Sequence, residues 1–329
     1  MKPSGIKTAL LVTLYSLAVA LVGLLVLEAI VRLALPQVTR QGTEQTIFAE
    51  QRYYSSHGLR PLSRGYSNGA VIATDRFGFR QYRTPIDTTK KCWLLLGDSV
   101  TEGIGVDADS TFAGRLQNSL DTINVLNPSS IGYDVADYLN VYRALVVDDS
   151  FHLDVDRVTV FYCLNDLYID VKPIEQPGGQ FRHWAGPVLG FLRNHSRLFL
   201  YLKGIVADRP RAYFDFDSQF YRNKTPELAK AVAGLDSLRR QCVERDIEFE
   251  VVLLPYEYQL RENKDNRLIP QKMIGNALEQ NGIRVYDPAA YLQGHLTNSS
   301  EAYLWADGIH FSATGHRLIY EYLLDNLVR

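Results

Sequence analysis

From Lys91 to the last residue the chain alternates two kinds of segment, and few architectures accept that rhythm. Short apolar runs occur at Cys92–Leu96, Ile123–Leu126, Val158–Cys163, Phe249–Leu254 and Ile283–Tyr286. Longer stretches with helical spacing separate them. Ser110–Leu120 carries Phe112, Leu116 and Leu120 on one face, and Asp134–Val147 carries Tyr138, Tyr142 and Leu145. Pro226–Arg245 carries Leu228, Val232, Leu235 and Leu238, and Pro270–Gln280 and Thr314–Leu327 repeat the habit. Strands that alternate with helices need right-handed crossovers and form a parallel sheet covered on both faces. The unbroken apolar run Trp93-Leu94-Leu95-Leu96 suits a strand buried on both sides.

The N-terminus obeys a different constraint. Thr8 to Leu27 is a run of twenty residues without a formal charge. At helical rise it spans about 30 Å, the thickness of a bilayer core. The apolar character continues past Glu28 and Arg32 and stops at Pro36. Ala18-Val19-Ala20 resembles the small-residue site of a cleaved signal peptide, the competing reading. The run goes on to Leu27, beyond that site, and this favours a retained signal anchor. Lys2 and Lys7 precede the span while Arg32, Arg40 and Arg52 follow it, so charge sets orientation only weakly. A short tail with two lysines before an N-terminal span stays cytoplasmic, which puts the rest of the chain outside the cytoplasm. The expected organisation is a tail at 1–7, a transmembrane anchor at 8–35, a juxtamembrane lead-in at 36–90 and an α/β domain at 91–329.

Two regions lack the strand–helix rhythm. Gln41–Thr89 is polar and rich in turn residues, and reads as an extended lead-in with a short hairpin. Within it, Asp75-Arg76-Phe77-Gly78-Phe79-Arg80 reads as a strand packing its aromatics on the domain edge. About sixty residues from Leu167 to Thr225 form an insertion at 167–225. It holds a Gly-Gly turn, an apolar helix candidate at Val188–Val206 and the aromatics Tyr213, Phe214, Phe216, Phe220 and Tyr221. An insertion on the carboxyl side of a strand serves as a lid or acceptor site, or leans on the membrane.

Composition excludes several classes. Lys and Arg number 35 against 37 Asp and Glu, a net charge of -2, so there is no general basic face for nucleic acid. Cys92, Cys163 and Cys242 match neither a disulfide scaffold nor a CxxC zinc pattern. There is no HExxH, no His or Cys cluster at ligand spacing, no P-loop and no GxGxxG phasing. No metal and no cofactor are expected.

In an open parallel sheet functional groups gather at the carboxyl ends of strands. Gly97-Asp98-Ser99-Val100-Thr101 follows the first apolar run, and Asn127-Pro128-Ser129-Ser130-Ile131-Gly132-Tyr133 follows the second. Leu164-Asn165-Asp166 follows the third, and Asp307-Gly308-Ile309-His310 lies near the end. This set suits nucleophilic acyl transfer. A serine hydroxyl needs a base to take its proton, and His310 is placed to be that base for Ser99. Asp307, three residues earlier, can hold the imidazole in the right tautomer. The backbone N–H groups of Ser99 and Gly132 and the side-chain amide of Asn165 can stabilise a developing oxyanion. Glycine at 132 allows close approach. Taken alone, Ser99 would be a helix N-cap and Asp307 a turn cap.

The four segments resemble, in order, the four blocks of the SGNH (GDSL-type) hydrolases. Gly97-Asp98-Ser99-x-Thr101 is similar to the first block, Gly132 stands where the second-block glycine would, Leu164-Asn165-Asp166 resembles the third and Asp307-x-x-His310 the last. The likeness runs from Cys92 to the C-terminus. It implies a flavodoxin-like three-layer α/β/α fold and an ester hydrolase or acyltransferase with Ser99 as nucleophile, His310 as base, Asp307 as its partner, and Ser99, Gly132 and Asn165 as the oxyanion hole. The third-block glycine is replaced here by Cys163, a small residue expected to be buried and unreactive. Asp98 and Asp166 are expected to fix their loops, and His316 to lie on the final helix as a surface or packing residue. His57, His152, His183, His195 and His295 receive no role.

The leading expectation is a membrane-anchored serine esterase acting on an acyl, foremost acetyl, ester of an extracytoplasmic glycan or lipid. An O-acyltransferase would use the same acyl-enzyme with a sugar hydroxyl in place of water. A non-catalytic binding or assembly protein on this fold is the third reading, and the intact set of Ser99, Asp307, His310, Gly132 and Asn165 argues against it. The expected partners are the bilayer, through the N-terminal helix, and the acylated substrate.

Overall fold

Leucine, valine and alanine dominate one continuous helix, Pro3–Ala34 (α1), which runs through Gly23 without interruption. The structure, a computed structural model, describes residues 3–39, 42–167, 180–221, 225–261 and 265–328. Lys2, Arg40 and the Gly-Gly turn lie outside the described residues. Large apolar side chains from Leu10 to Leu27 are exposed along α1, which is long and apolar enough to cross a membrane. The described chain divides into two units, Met1–Gln41 with Gln176–Ala207, and Gly42–Glu175 with Asp208–Arg329.

The second unit begins where the sequence reads as an extended lead-in, and the structure has two antiparallel hairpins there. The first pairs Phe48–Arg52 (β1) with Ser55–Leu59 (β2), and the second pairs Arg64–Ser67 (β3) with Ala70–Ala73 (β4). The β3–β4 turn is Asn68-Gly69, both at positive φ, the sequence signature of a two-residue turn. The β1–β2 turn is Tyr53-Tyr54, also at positive φ and with no such signature. Tertiary contacts hold it: the Tyr53 hydroxyl donates to Phe77 O at 2.6 Å and the Tyr54 hydroxyl to Asp148 Oδ2 at 2.7 Å. Asp75–Arg80 is a turn rather than a strand, because Asp75 Oδ1 accepts the N–H groups of both Phe77 and Phe79. The aromatics are buried as expected, and Tyr53, Phe77, Phe79 and Tyr82 join the core of the α/β unit.

Lys91–Gly97 (β5) opens the main sheet. It is followed by the one-turn helix Ser99–Glu102 (α2), Phe112–Ser119 (α3), Ile123–Leu126 (β6), Val135–Tyr142 (α4) and Val155–Tyr162 (β7). The helix expected over Asp134–Val147 is α4 prolonged by one π-helical turn, Arg143–Val147. The insertion then contributes Gln180–His195 (α5), Arg197–Val206 (α6) and Arg209–Asp217 (α7). Pro226–Val243 (α8), Glu248–Leu253 (β8), Glu257–Leu260 (α9), Ile269–Gln280 (α10), Arg284–Tyr286 (β9), Ala289–His295 (α11) and Ala313–Asn326 (α12) complete the chain. The sheet order is β6-β5-β7-β8-β9 with every neighbouring pair parallel, the flavodoxin-like arrangement. Helices α3, α11 and α12 pack as one layer, and α4, α8 and α10 as another. Strands are added toward one edge from β5 to β6 and toward the other from β7 onward, so the carboxyl ends of β5 and β7 border the crevice where such sheets bind ligands.

In the first unit the single apolar helix expected at Val188–Val206 is two. Ser196 is extended and caps α6, its Oγ accepting from Phe199 N–H at 3.0 Å. The Glu28 carboxylate of α1 takes the Arg197 and Leu198 N–H groups, each at 2.9 Å, and the Ser196 hydroxyl at 2.8 Å. Arg32 pairs with Glu28 and donates to His195 O at 2.7 Å. Four donors therefore converge on one carboxylate, and the open end of α6 is satisfied by another helix instead of by solvent.

Arg80 is the most unexpected core residue. It is 1% exposed, and its guanidinium donates to the carbonyls of Glu102, Gly103 and Val106, the segment that leaves α2. Burial pushes its pKa down, against the pull of nearby anions that include Glu102. Burial also raises the Glu102 carboxyl to about 7 against the opposing pull of Arg80. Replacing Arg80 by leucine leaves three carbonyls and a buried carboxyl without their cation. The unfolding free energy of Arg80→Leu in urea, followed by Trp fluorescence, is expected to fall by about 3–5 kcal/mol. The exposed neighbour Arg76→Leu should change it by less than about 1 kcal/mol.

Candidate active site

The end of β5 makes the first half of the site. Asp98 caps α2 by accepting the Val100 N–H on Oδ1 at 2.9 Å, so Ser99 becomes the first residue of a helix set directly on a strand end. Ser99 is 6% exposed. The expectation that Asp98 bonds loop backbone is met by the Val100 contact.

The last block makes the other half. Asp307 Oδ1 accepts the backbone N–H groups of Ile309 at 3.1 Å and His310 at 2.9 Å, and His310 Nδ1–H at 2.8 Å. A carboxylate only accepts, so the hydrogen of neutral His310 sits on Nδ1 and Nε2 has a free lone pair. Nε2 lies 2.9 Å from Ser99 Oγ. Gly308 makes the tight return possible. Its φ is +83°, and a Cβ there would come within 2.4 Å of Pro210. Its carbonyl accepts Glu257 N–H at 2.9 Å, which ties the loop to α9.

Gly132 lies beyond β6 at φ +81° with no atom within 4 Å of a built Cβ. The left-handed backbone by itself calls for glycine here, and the space beside it is open. Asn127 holds this loop against α2, its Nδ2 donating to Thr101 O at 2.8 Å. Asn165 follows β7, and its Nδ2 donates to Asp98 Oδ2 at 3.2 Å. Its Oδ1 lies 2.9 Å from the Tyr256 hydroxyl, which also lies 2.7 Å from Asp217 Oδ2. Burial pushes the Asp217 carboxyl up to about 7, against the hydrogen bond from Tyr256.

Cys163 is 1% exposed, and burial raises its thiol well above the ordinary range. Asp166 Oδ2 accepts Cys163 N–H at 2.8 Å and so closes the turn after β7. Asp98, Cys163 and Asp166 bring three potential ligand atoms within 4.8 Å of one another, but both carboxylates are engaged in loop hydrogen bonds. His316 is a packing residue, fully buried against Phe112, with Nδ1 accepting Phe112 N–H at 3.3 Å. Burial holds its pKa down at about 3, so it stays neutral.

Sequence reasoning missed Arg80, Glu102 and Tyr256. Tyr256 had a usable signal, because it stands just beyond the carboxyl end of β8. Arg80 and Glu102 had none, since a buried guanidinium and its carbonyl partners share no spacing rule.

The electrostatics of the pair set two pH windows. Burial works against the charged Asp307, yet the facing His310 and its hydrogen bonds hold the carboxyl at about 2. Burial likewise works against protonated His310, yet Asp307 raises its pKa above the ordinary 6.5. The stability from Asp307 is thus present above its unfolded value and is lost as pH falls toward 2. That from His310 is present below 6.5 and is lost as pH rises through the folded value. Imidazole NMR should place the His310 titration above 6.5 in the native protein and move it downward in Asp307→Asn.

The sequence profile of the GDSL-like lipase/acylhydrolase family matches residues 95–318. The chain is similar to the solved structure of Axe2, an acetylxylan esterase from Geobacillus stearothermophilus, at 18% identity over 73% of this chain and 94% of that one, with a TM-score of 0.42. It is similar to the acetyl xylan esterase AlAXEase at 12% identity over 72% and 99%, TM-score 0.45. A lipase/acylhydrolase from Enterococcus faecalis aligns at 16% identity over 71% and 95%, TM-score 0.38. No curated protein matches the sequence. Because the matched stretch runs from inside β5 to inside α12 and carries all four blocks, the chain belongs to the GDSL-like lipase/acylhydrolase family.

Proposed function

We propose that this chain is a membrane-anchored serine esterase that removes an acyl group, foremost acetyl, from an extracytoplasmic glycan or lipid. Its family makes it an ester-hydrolysing enzyme. The observation that carries the finer reading is the unbroken chain Ser99 Oγ, His310, Asp307 Oδ1, with contacts of 2.9 and 2.8 Å. On this reading Ser99 Oγ attacks the acyl carbon while its proton passes to His310 Nε2, and Asp307 stabilises the imidazolium. The oxyanion is met by the N–H groups of Ser99 and Gly132 and by Asn165 Nδ2. Collapse breaks the bond to the alcohol, which leaves with the proton from Nε2. Water then attacks acyl-Ser99 by the same route, and the acid is released.

The anchor reading rests on α1. Its charge-free Thr8–Leu27 segment matches a bilayer core of about 30 Å, and Glu28 and Arg32 fall at the boundary. The α6 helix is capped at that boundary, and its Leu202, Ile205 and Val206 are exposed. The lipid bilayer is therefore the proposed partner of this unit.

The test is p-nitrophenyl acetate, butyrate and octanoate hydrolysis by the full chain in detergent. In Ser99→Ala, kcat is expected to fall by a factor on the order of 10⁴ or more. In Asn165→Ala it should fall about 10²–10³-fold. The chain-length profile should fall from acetate to octanoate. Activity that survives Ser99→Ala would defeat the reading, and a folded protein inert toward all three esters would favour transfer to a hydroxyl acceptor. The full chain should stay with membranes through carbonate extraction, and its release would replace the anchor by a cleaved signal.

A further inference from the structure

Ile131 and Gly132 share one peptide group. In a trans peptide the Ile131 carbonyl and the Gly132 N–H point in opposite directions, so fixing one aims the other. The described chain has no cis peptide bond. Glycine at positive φ leaves this peptide plane little local restraint, since there is no Cβ to oppose a flip and the space a Cβ would take is open.

The restraint comes from the β1–β2 hairpin. His57 Nε2 lies 2.7 Å from Ile131 O. A carbonyl only accepts, so Nε2 carries the hydrogen and donates it. Ser56 Oγ, 3.1 Å from Nδ1, is placed to donate to the other ring nitrogen. The ring is held between Phe48, edge-on at 6.1 Å, and Tyr133 at 5.3 Å. The Tyr133 hydroxyl closes the contact by donating to His57 O at 2.7 Å. From the other side Ile131 N–H donates to Glu102 Oε2 at 2.8 Å.

We propose that His57 is a positioning residue of the oxyanion site, which holds the Ile131 carbonyl so that the Gly132 N–H keeps the direction a developing oxyanion needs. The hairpin before the α/β domain is then a working part of the enzyme. A hydrogen bond accepted by the carbonyl also polarises the peptide and strengthens its N–H as a donor. This inference rests on the serine-esterase reading and on Gly132 as an oxyanion donor.

The experiment compares His57→Ala, His57→Gln, His57→Asn and Tyr133→Phe in the full chain in detergent, with p-nitrophenyl acetate. A small misalignment of a catalytic group costs up to about 10²-fold, so His57→Ala should lower kcat roughly 10- to 100-fold with KM changed less than about twofold. Glutamine presents an N–H near the position of Nε2 and should recover most of the loss, whereas the shorter asparagine should not. Tyr133→Phe should fall between. The inhibition constant of a trifluoromethyl ketone, whose adduct places an oxyanion on the same donors, should rise in step with the loss of kcat/KM. The proposal is overturned if His57→Ala keeps kcat within about twofold while Ser99→Ala is inactive, or if glutamine and asparagine behave alike. Should His57→Ala fail to fold, the glutamine–asparagine comparison still decides. Activity in Ser99→Ala would instead overturn the esterase reading beneath it.

Discussion

β5 and β7 pair in parallel from Cys92 and Val155 to Gly97 and Phe161, so the two strands end side by side. The chain leaves β5 toward one edge of the sheet and returns to build the other half from β7, which opens a crevice between their carboxyl ends. Ser99 follows one strand and Asn165 the other. The Asp98 carboxylate, bonded to Val100 N–H and Asn165 Nδ2, bridges the two exits. If that pairing slipped by one residue, every side chain of β7 would change faces and the bridge would be lost.

A second constraint is the burial of charge behind the turn that carries Ser99. A guanidinium without solvent is costly unless its donors find acceptors, and Arg80 turns its two terminal nitrogens onto three carbonyls of one segment, while its Nε has no partner among the described residues. Glu102 sits in the same buried region, and its one described side-chain hydrogen bond is accepted from Ile131 N–H. The turn carrying Ser99 and the loop carrying Gly132 are thereby coupled through α2. Segment 42–90 supplies both outside contacts, Arg80 to the first and His57 to the second.

The four blocks were legible because each is a local string whose chemistry depends on residue type: a hydroxyl, a glycine, an amide and an Asp-x-x-His pair. The strands were legible because a buried parallel strand is a continuous apolar run. The Tyr53-Tyr54 turn was not, because its positive φ values are imposed by hydrogen bonds to Phe77 and Asp148 and not by turn residues. The break at Ser196 was hidden too, since its apolar flanks continue one periodic pattern and the Glu28 carboxylate that caps the second helix lies 169 residues from Arg197 in the chain.

The sequence by itself determined the local facts. These are the five strands of the α/β domain and the main helices between them, where the apolar span lies, and which residue types stand in the four blocks. Periodicity, capping and residue type act over a few residues, so they can be read without knowing what the segment packs against. Only the tertiary structure decided who meets whom. It put His310 against Ser99 across 211 residues, Tyr256 behind Asn165, and Arg80 and His57 behind the two loops of the site. Such pairings follow from sheet order and crossover direction, and no single segment contains that information.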